Sequence, residues 1–250
     1  MRHWLTGLSF VPLPLLLWDA SATAQDRVPE PLRMEQPELH LDYAESGLAL
    51  PLVLEQFSQI KQANPGRPQQ ERADQLLQQG IEQYGLSQFR EALRSWEAAL
   101  KIYREIGDRV GEANTLNNIG NVYQLLGNYP EAIAQYEQSL AITREIGNRA
   151  TEALTLNNIG IVYNFLGNYP EAIAQYEKSL AIKRELGDRA GEAKTLNNIG
   201  MIYESLGKYS EAIAQYEDSL AITREIGDRA GEANTLGNMG LLFEAQDDPV

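Results

Sequence analysis

The sequence predicts an all-α fold, a right-handed superhelical solenoid of antiparallel helix pairs. Three observations predict it. Gly120, Gly160, Gly200 and Gly240 are 40 residues apart, and Tyr123, Tyr163, Tyr203 and Phe243 keep the same spacing. Residues 151–190 and 191–230 each differ from residues 111–150 at nine of forty positions. Each copy holds two apolar stripes of helical spacing separated by glycine turns, with no strand-like alternation. A fixed period of 20–50 residues marks a stacked array of supersecondary units.

Residues 1–24 read as a secretory signal peptide. Arg2 supplies the positive start, Leu5 to Trp18 an apolar stretch, and Ala22-Thr23-Ala24 a small-residue cleavage pattern. The apolar stretch is shorter than the roughly 20 residues a spanning helix needs, and Pro12 and Pro14 interrupt it. The mature chain is therefore expected to be exported, periplasmic or extracellular, with no stable membrane insertion. Residues 25–70 hold six of the eleven prolines and read as a largely irregular linker. The array follows over 71–250, with units at about 71–108, 109–148, 149–188 and 189–228 and a half-unit at 229–246.

The second unit shows why each copy is a helix pair. Gly107 suits a helix end, and Asp108 suits the N-cap of the next helix. Leu116, Ile119, Gly120 and Tyr123 fall at i, i+3, i+4 and i+7, one apolar stripe. Gly127 ends that helix. Asn128 followed by Glu131 resembles a capping box, with Pro130 in the first turn. Ala132, Ile133, Tyr136, Leu140 and Ile146 form the second stripe, which ends at Gly147. Helices of about 17 residues are roughly 25 Å long.

Composition excludes much chemistry. The chain has no cysteine, and its two histidines, His3 and His40, precede the array. Disulfides, thiolate nucleophiles and Cys-based zinc sites are thereby absent. A net charge of −14 argues against nucleic-acid binding, which requires Lys and Arg to neutralise phosphates. The scattered carboxylates form no close pair that survives repetition, so no acid/base dyad, metal set or cofactor is expected, and the chain reads as a non-enzyme.

Leu116, Ile119, Gly120, Tyr123, Ala132 and Tyr136 stand at the positions of the tetratricopeptide pattern W-x2-L-G-x2-Y…A-x3-F, with leucine for tryptophan. The set recurs from Leu156 and from Leu196. The chain resembles the long-repeat tetratricopeptide subclass of kinesin light chains, and is similar to the repeat region of bacterial tetratricopeptide proteins that carry a caspase-like CHAT domain. The resemblance implies a scaffold whose first helices line a concave groove that holds a peptide or protein segment. The alternative it implies is the regulatory arm of a truncated or split CHAT-type protease.

Positions where the copies disagree mark the candidate groove. Offsets of 7 and 11 residues at 100° per residue place 121 and 125 within about 20° of 114, with 124 some 80° away. The face reads Asn114, Asn117, Asn121, Gln124 and Leu125 in the second unit. It reads Leu154, Asn157, Ile161, Asn164 and Phe165 in the third, and Lys194, Asn197, Met201, Glu204 and Ser205 in the fourth. Apolar residues on an otherwise variable face suggest binding. The unvarying Asn117, Asn157 and Asn197 are expected to bind a ligand backbone, since an amide both donates and accepts. The second asparagines, Asn118, Asn158, Asn198 and Asn238, are expected to bond a neighbouring loop. The recurrent Arg144-Glu145 type pair reads as a solvated helix end, and Arg109, Arg149, Arg189 and Arg229 as bridges between units. The half-unit from Arg229 exposes Leu236, Met239, Leu242 and Phe243, which predicts self-association through that edge.

Overall fold

Each glycine turn of the sequence ends one helix and starts the next. The computed structural model describes residues 67–247, and the expected signal peptide (1–24) and the expected linker up to residue 66 lie outside the described residues. Helices α1 (Arg67–Gly85) and α2 (Phe89–Ile106) form the first unit, α3 (Arg109–Leu125) and α4 (Tyr129–Glu145) the second, and α5 (Arg149–Phe165) and α6 (Tyr169–Leu186) the third. The fourth comprises α7 (Arg189–Ser205) and α8 (Tyr209–Ile226), and α9 (Arg229–Asp247) follows alone. The described residues form an all-α solenoid in which consecutive helices pack as antiparallel neighbours. Helix α1 begins inside the stretch read as linker, because Pro68 occupies its first turn, where a fixed φ favours a helix start.

The two kinds of turn differ. Between units, Asp108 Oδ1 accepts from the Gly111 N–H at 2.9 Å, as expected of an N-cap, and Asp188 and Asp228 repeat this. Within a unit the expected capping box does not form: Asn128 makes no side-chain cap. Its N–H donates instead to the Tyr123 carbonyl at 2.8 Å while Gly127, at φ 72°, donates to Gln124 at 3.0 Å. This pair of bonds is a Schellman end, and only the left-handed glycine closes it without strain.

Packing follows from small residues at the crossings. A Cβ built on Gly120 would lie 2.5 Å from the Tyr136 ring, and Gly160 and Gly200 meet Tyr176 and Tyr216 in the same way. Trp96 fills the corresponding place over Gly80, and its indole N–H donates to the Leu77 carbonyl at 3.1 Å. Each core layer joins neighbouring units: Ala132, Tyr136 and Leu140 of α4 pack with Ala153, Leu156, Ile159 and Val162 of α5. Burial of one such leucine stabilises by about 1.5–3 kcal/mol, and no unit buries its own stripe alone.

The opposite ends of the helices carry an ion network. Glu112 is nearly buried and is held by Arg104 Nε at 2.8 Å and by Arg109, whose other nitrogen reaches Glu145. Arg144, Glu152, Arg149 and Glu185 repeat it, as do Arg184, Glu192, Arg189 and Glu225. The Arg-Glu pair is more than half exposed, as a solvated helix end should be, and each member also pairs with another helix, which makes it a junction as well. Arg109, Arg149 and Arg189, expected to bridge units, instead tie the first helix of a unit to its own second helix, and Arg229 pairs only within its own helix. The pairs that cross between units come from Arg104, Arg144, Arg184 and Arg224.

Candidate functional site

Of the fifteen groove-face residues chosen from sequence, two, Asn117 and Asn197, are withdrawn into the fold. Asn117 is 3% exposed. Its amide donates to Ser139 Oγ at 2.6 Å and to Thr155 Oγ1 at 2.9 Å, 38 positions along the chain. Asn197 is also buried, and its carbonyl accepts from Asn238 Nδ2 at 3.1 Å. The ligand role expected of these two is corrected. They lie where the first helices of successive units approach, so their hydrogen bonds are consumed between units. Two of the second asparagines, Asn158 and Asn238, act in the same seam and not on a loop: Asn158 Nδ2 donates to Asn121 Oδ1 at 3.3 Å.

The remaining positions form a graded surface. In the second unit Asn114 is half-buried, and Asn121 and Gln124 are occupied. The Tyr136 hydroxyl donates to Asn121 Oδ1 at 2.7 Å and to Gln124 Oε1 at 3.0 Å. In the fourth unit Lys194 and Met201 are exposed, and Glu204 Oε2 accepts from the Tyr216 hydroxyl at 2.9 Å. Burial pushes the pKa of all three tyrosines upward, so each phenol remains a donor.

The third unit differs. Ile161 stands where Asn121 stands in the second, and Asn164 does not take the place of Gln124. The Tyr176 hydroxyl consequently has no hydrogen-bond partner among the described residues, although the side chain is only 1% exposed; no fully buried side-chain polar atom lacks a partner there, so the hydroxyl keeps a small opening to solvent. Asn157 is half-exposed; its carbonyl accepts from Thr195 Oγ1 at 3.5 Å, and its amide nitrogen donates to nothing among the described residues. On the same face Leu154, Ile161 and Asn164 are half-buried, and Ile161 packs against the Tyr176 layer. Phe165 is 61% exposed and stacks on Tyr129 of the preceding unit, centroids 5.8 Å apart and planes 7° apart. The centre of the face is thus apolar with two uncommitted polar groups, while the flanks satisfy themselves.

A row of leucines at the intra-unit turns, Leu86, Leu126, Leu166 and Leu206, is also exposed and continues the apolar edge beyond Phe165. Comparing the copies for differences misses this row because it does not vary. Its signal is a repeated leucine just before the left-handed turn residue, which is glycine in three units and Ser87 in the first. Among the described residues no cluster of acidic or histidine side chains could hold a metal ion, and no helix is long and apolar enough to cross a membrane.

The tetratricopeptide repeat family model matches residues 80–145, 151–225 and 193–249. No curated protein sequence matches. Among solved structures, the chain is similar to BtubC (BKLC) from P. vanneervenii at 22% identity and a TM-score of 0.66, over 78% of this chain and 80% of that one. It is similar to aspartyl phosphate phosphatase F from Bacillus subtilis at 19% identity and TM-score 0.69, over 72% of this chain and 47% of the other. A Rap protein complexed with competence and sporulation factor matches at 20% identity and TM-score 0.63, over 71% and 52%. The chain spans about half the length of the phosphatase and of the Rap protein. At these identities the likeness is one of fold.

Proposed function

The chain belongs to the tetratricopeptide repeat family, and we propose that it works as a non-catalytic protein-interaction scaffold that holds an extended peptide or protein segment across the first helices α3, α5 and α7. One observation carries the reading: the Asn157 amide nitrogen and the Tyr176 hydroxyl donate to nothing among the described residues, and α5 bears Leu154, Ile161 and Phe165 on the same face as Asn157. A bound segment would present an apolar side chain to Ile161 and Phe165, and its backbone would take the hydroxyl and the amide. A buried hydrogen bond of that kind is worth about 1–3 kcal/mol when broken. The fold likeness to a Rap regulator solved in complex with the Phr* peptide agrees with this use of the architecture. The signal-like residues 1–24 support a scaffold that works outside the cytoplasm, and sequencing the amino terminus of the mature chain, expected at Gln25, tests that reading.

The test compares two conservative variants against peptides selected from a displayed random library on the full chain. Tyr176→Phe removes a hydroxyl the fold does not use, so the melting temperature should hold while affinity for the selected peptides falls. Tyr136→Phe removes a hydroxyl bonded to Asn121 and Gln124, so it should lower stability and act weakly on affinity. Equal affinities for wild type and Tyr176→Phe would refute the placement of the ligand.

A further inference from the structure

The second helices α4 and α8 carry a buried threonine at the same register, Thr143 and Thr223. Each hydroxyl turns back on its own helix and donates to the carbonyl of Leu140 or Leu220 at 3.0 Å. In α6 the residue at this register is Lys183, also buried. Its ammonium reaches α7, the first helix of the next unit, where it donates to Thr195 Oγ1 at 2.8 Å and to the Gly191 carbonyl at 3.4 Å. Burial lowers its pKa only to about 8, so it stays an ammonium at pH 7. A buried cation bonded to a hydroxyl and a carbonyl costs the fold stability.

Thr195 Oγ1 is the counterpart of Thr155 Oγ1, the hydroxyl on which the preceding seam asparagine is spent. There Asn117 Nδ2 donates to Ser139 Oγ at 2.6 Å and to Thr155 Oγ1 at 2.9 Å. In the third unit the ammonium occupies the equivalent oxygen, and a hydroxyl polarised by a cation is a poor acceptor for a second N–H. Asn157 meets it with the other end of the amide: Oδ1 lies 3.5 Å from Thr195 Oγ1, and Nδ2 donates to nothing among the described residues. Exposure divides the same way. Asn117 and Asn197, in the units whose second helices carry threonine, are buried, whereas Asn157 is half-exposed. Asn197 spends its amide on Met201 Sδ and its carbonyl on Asn238 Nδ2.

We infer that Lys183 is the positioning residue of the groove: its ammonium, by occupying Thr195 Oγ1, holds Asn157 out of the seam with its carbonyl inward and its amide outward, ready to donate to a backbone carbonyl of the bound segment. The inference rests on the proposed use of α5 as the ligand face. It accounts for three identical asparagines having different duties, because the residue that selects among them lies on a second helix and touches no ligand. A donor held in place by a bonded neighbour is preorganised for its acceptor.

The test begins with the ligand-free full chain. Lys183→Thr installs the residue that the second and fourth units already carry, so the fold is retained. In wild type the side-chain amide hydrogens of Asn157, followed by nuclear magnetic resonance, should exchange freely with water. In Lys183→Thr that fast exchange should be lost, and the protection should match that of Asn117. Lys183→Met keeps the length of the side chain and removes the ammonium, and it should act as Lys183→Thr does. Exchange unchanged by Lys183→Thr, or fast exchange retained in Lys183→Met, would overturn the inference.

Affinity for the library-selected peptides supplies the second readout. Lys183→Thr should weaken it on the order of tenfold, the worth of one hydrogen bond, while raising the melting temperature. In an Asn157→Ala background the same change should have no further effect on affinity. Peptides that respond to Tyr176→Phe and Asn157→Ala but not to Lys183→Thr would overturn this inference and leave the groove reading standing. Peptides indifferent to Tyr176→Phe and Asn157→Ala would refute the groove reading, and the inference about binding with it, whatever the exchange of Asn157 shows.

Discussion

The Asn117 amide donates to Thr155 Oγ1 at 2.9 Å across 38 residues, stitching the first helix of one unit to the first helix of the next. Asn117→Ala leaves Ser139 and Thr155 without that donor inside the seam. The expected loss is about 1–3 kcal/mol, read from urea or thermal unfolding, whereas half-buried Asn114→Ala should change stability by no more than about 0.5 kcal/mol. Equal effects of the two changes would show that the seam bond contributes nothing.

Which parts of this were legible follows from what a helical wheel contains. Period and glycine spacing place Gly120 under Tyr136 and Asp108 at a cap because those relations are local to one unit. The wheel also places Asn117 beside Asn114 and Asn121, but it does not say on which side the next unit arrives, and Thr155 arrives on the Asn117 side. The clue was the constancy of Asn117, Asn157 and Asn197 among copies whose outward neighbours differ, which marks inter-unit contacts more readily than ligand contacts. The partners of Arg144 and Glu145, Glu152 and Arg109, went unread for the same reason: they lie in other helices.

Two glycines of the same register should respond oppositely to one methyl group. Gly160→Ala drives a Cβ to 2.7 Å from the buried Tyr176 ring and should destabilise by about 1–3 kcal/mol through overpacking. Gly240→Ala meets nothing within 4 Å and should stabilise α9 by up to about 1 kcal/mol through helix propensity. Calorimetry of the two variants checks the sign.

Lys183 occupies the buried position held by Thr143 and Thr223 in the other units, with its ammonium donating to Thr195 Oγ1 at 2.8 Å. Burial lowers its pKa from 10.5 to about 8. The unfolded chain therefore binds the proton more tightly, so the lysine costs stability below pH 8, and that cost diminishes as pH rises from about 8 to 10.5. Lys183→Thr should stabilise the fold at pH 7 by a few kcal/mol at most, with the advantage shrinking across that window. A stability difference independent of pH would contradict this.

Glu192 gives the opposite limb. Burial acts against its carboxylate, but hydrogen bonds from Arg184 and Arg189 outweigh it and hold the pKa below the ordinary 4.5. Its contribution is complete above that ordinary value and is lost as pH falls through the lower folded one. Glu192→Gln should therefore reduce stability at pH 7, and the gap to wild type should close in acid. Unfolding midpoints collected from pH 2 to 7 on both proteins reveal whether it does.

The central claim is that α5 carries the partner. Its most direct test is the dissociation constant of a library-selected peptide for wild type and for the Ile161→Ala/Phe165→Ala double variant, with Glu137→Ala/Glu177→Ala on the second helices as the comparison. The first pair should weaken binding by about a hundredfold, from two lost apolar contacts of roughly 1–2 kcal/mol each, in a chain that stays folded though less stable, because half-buried Ile161 packs against the Tyr176 layer. The second pair should have no effect. Undiminished binding to Ile161→Ala/Phe165→Ala, or a loss confined to Glu137→Ala/Glu177→Ala, would contradict that claim.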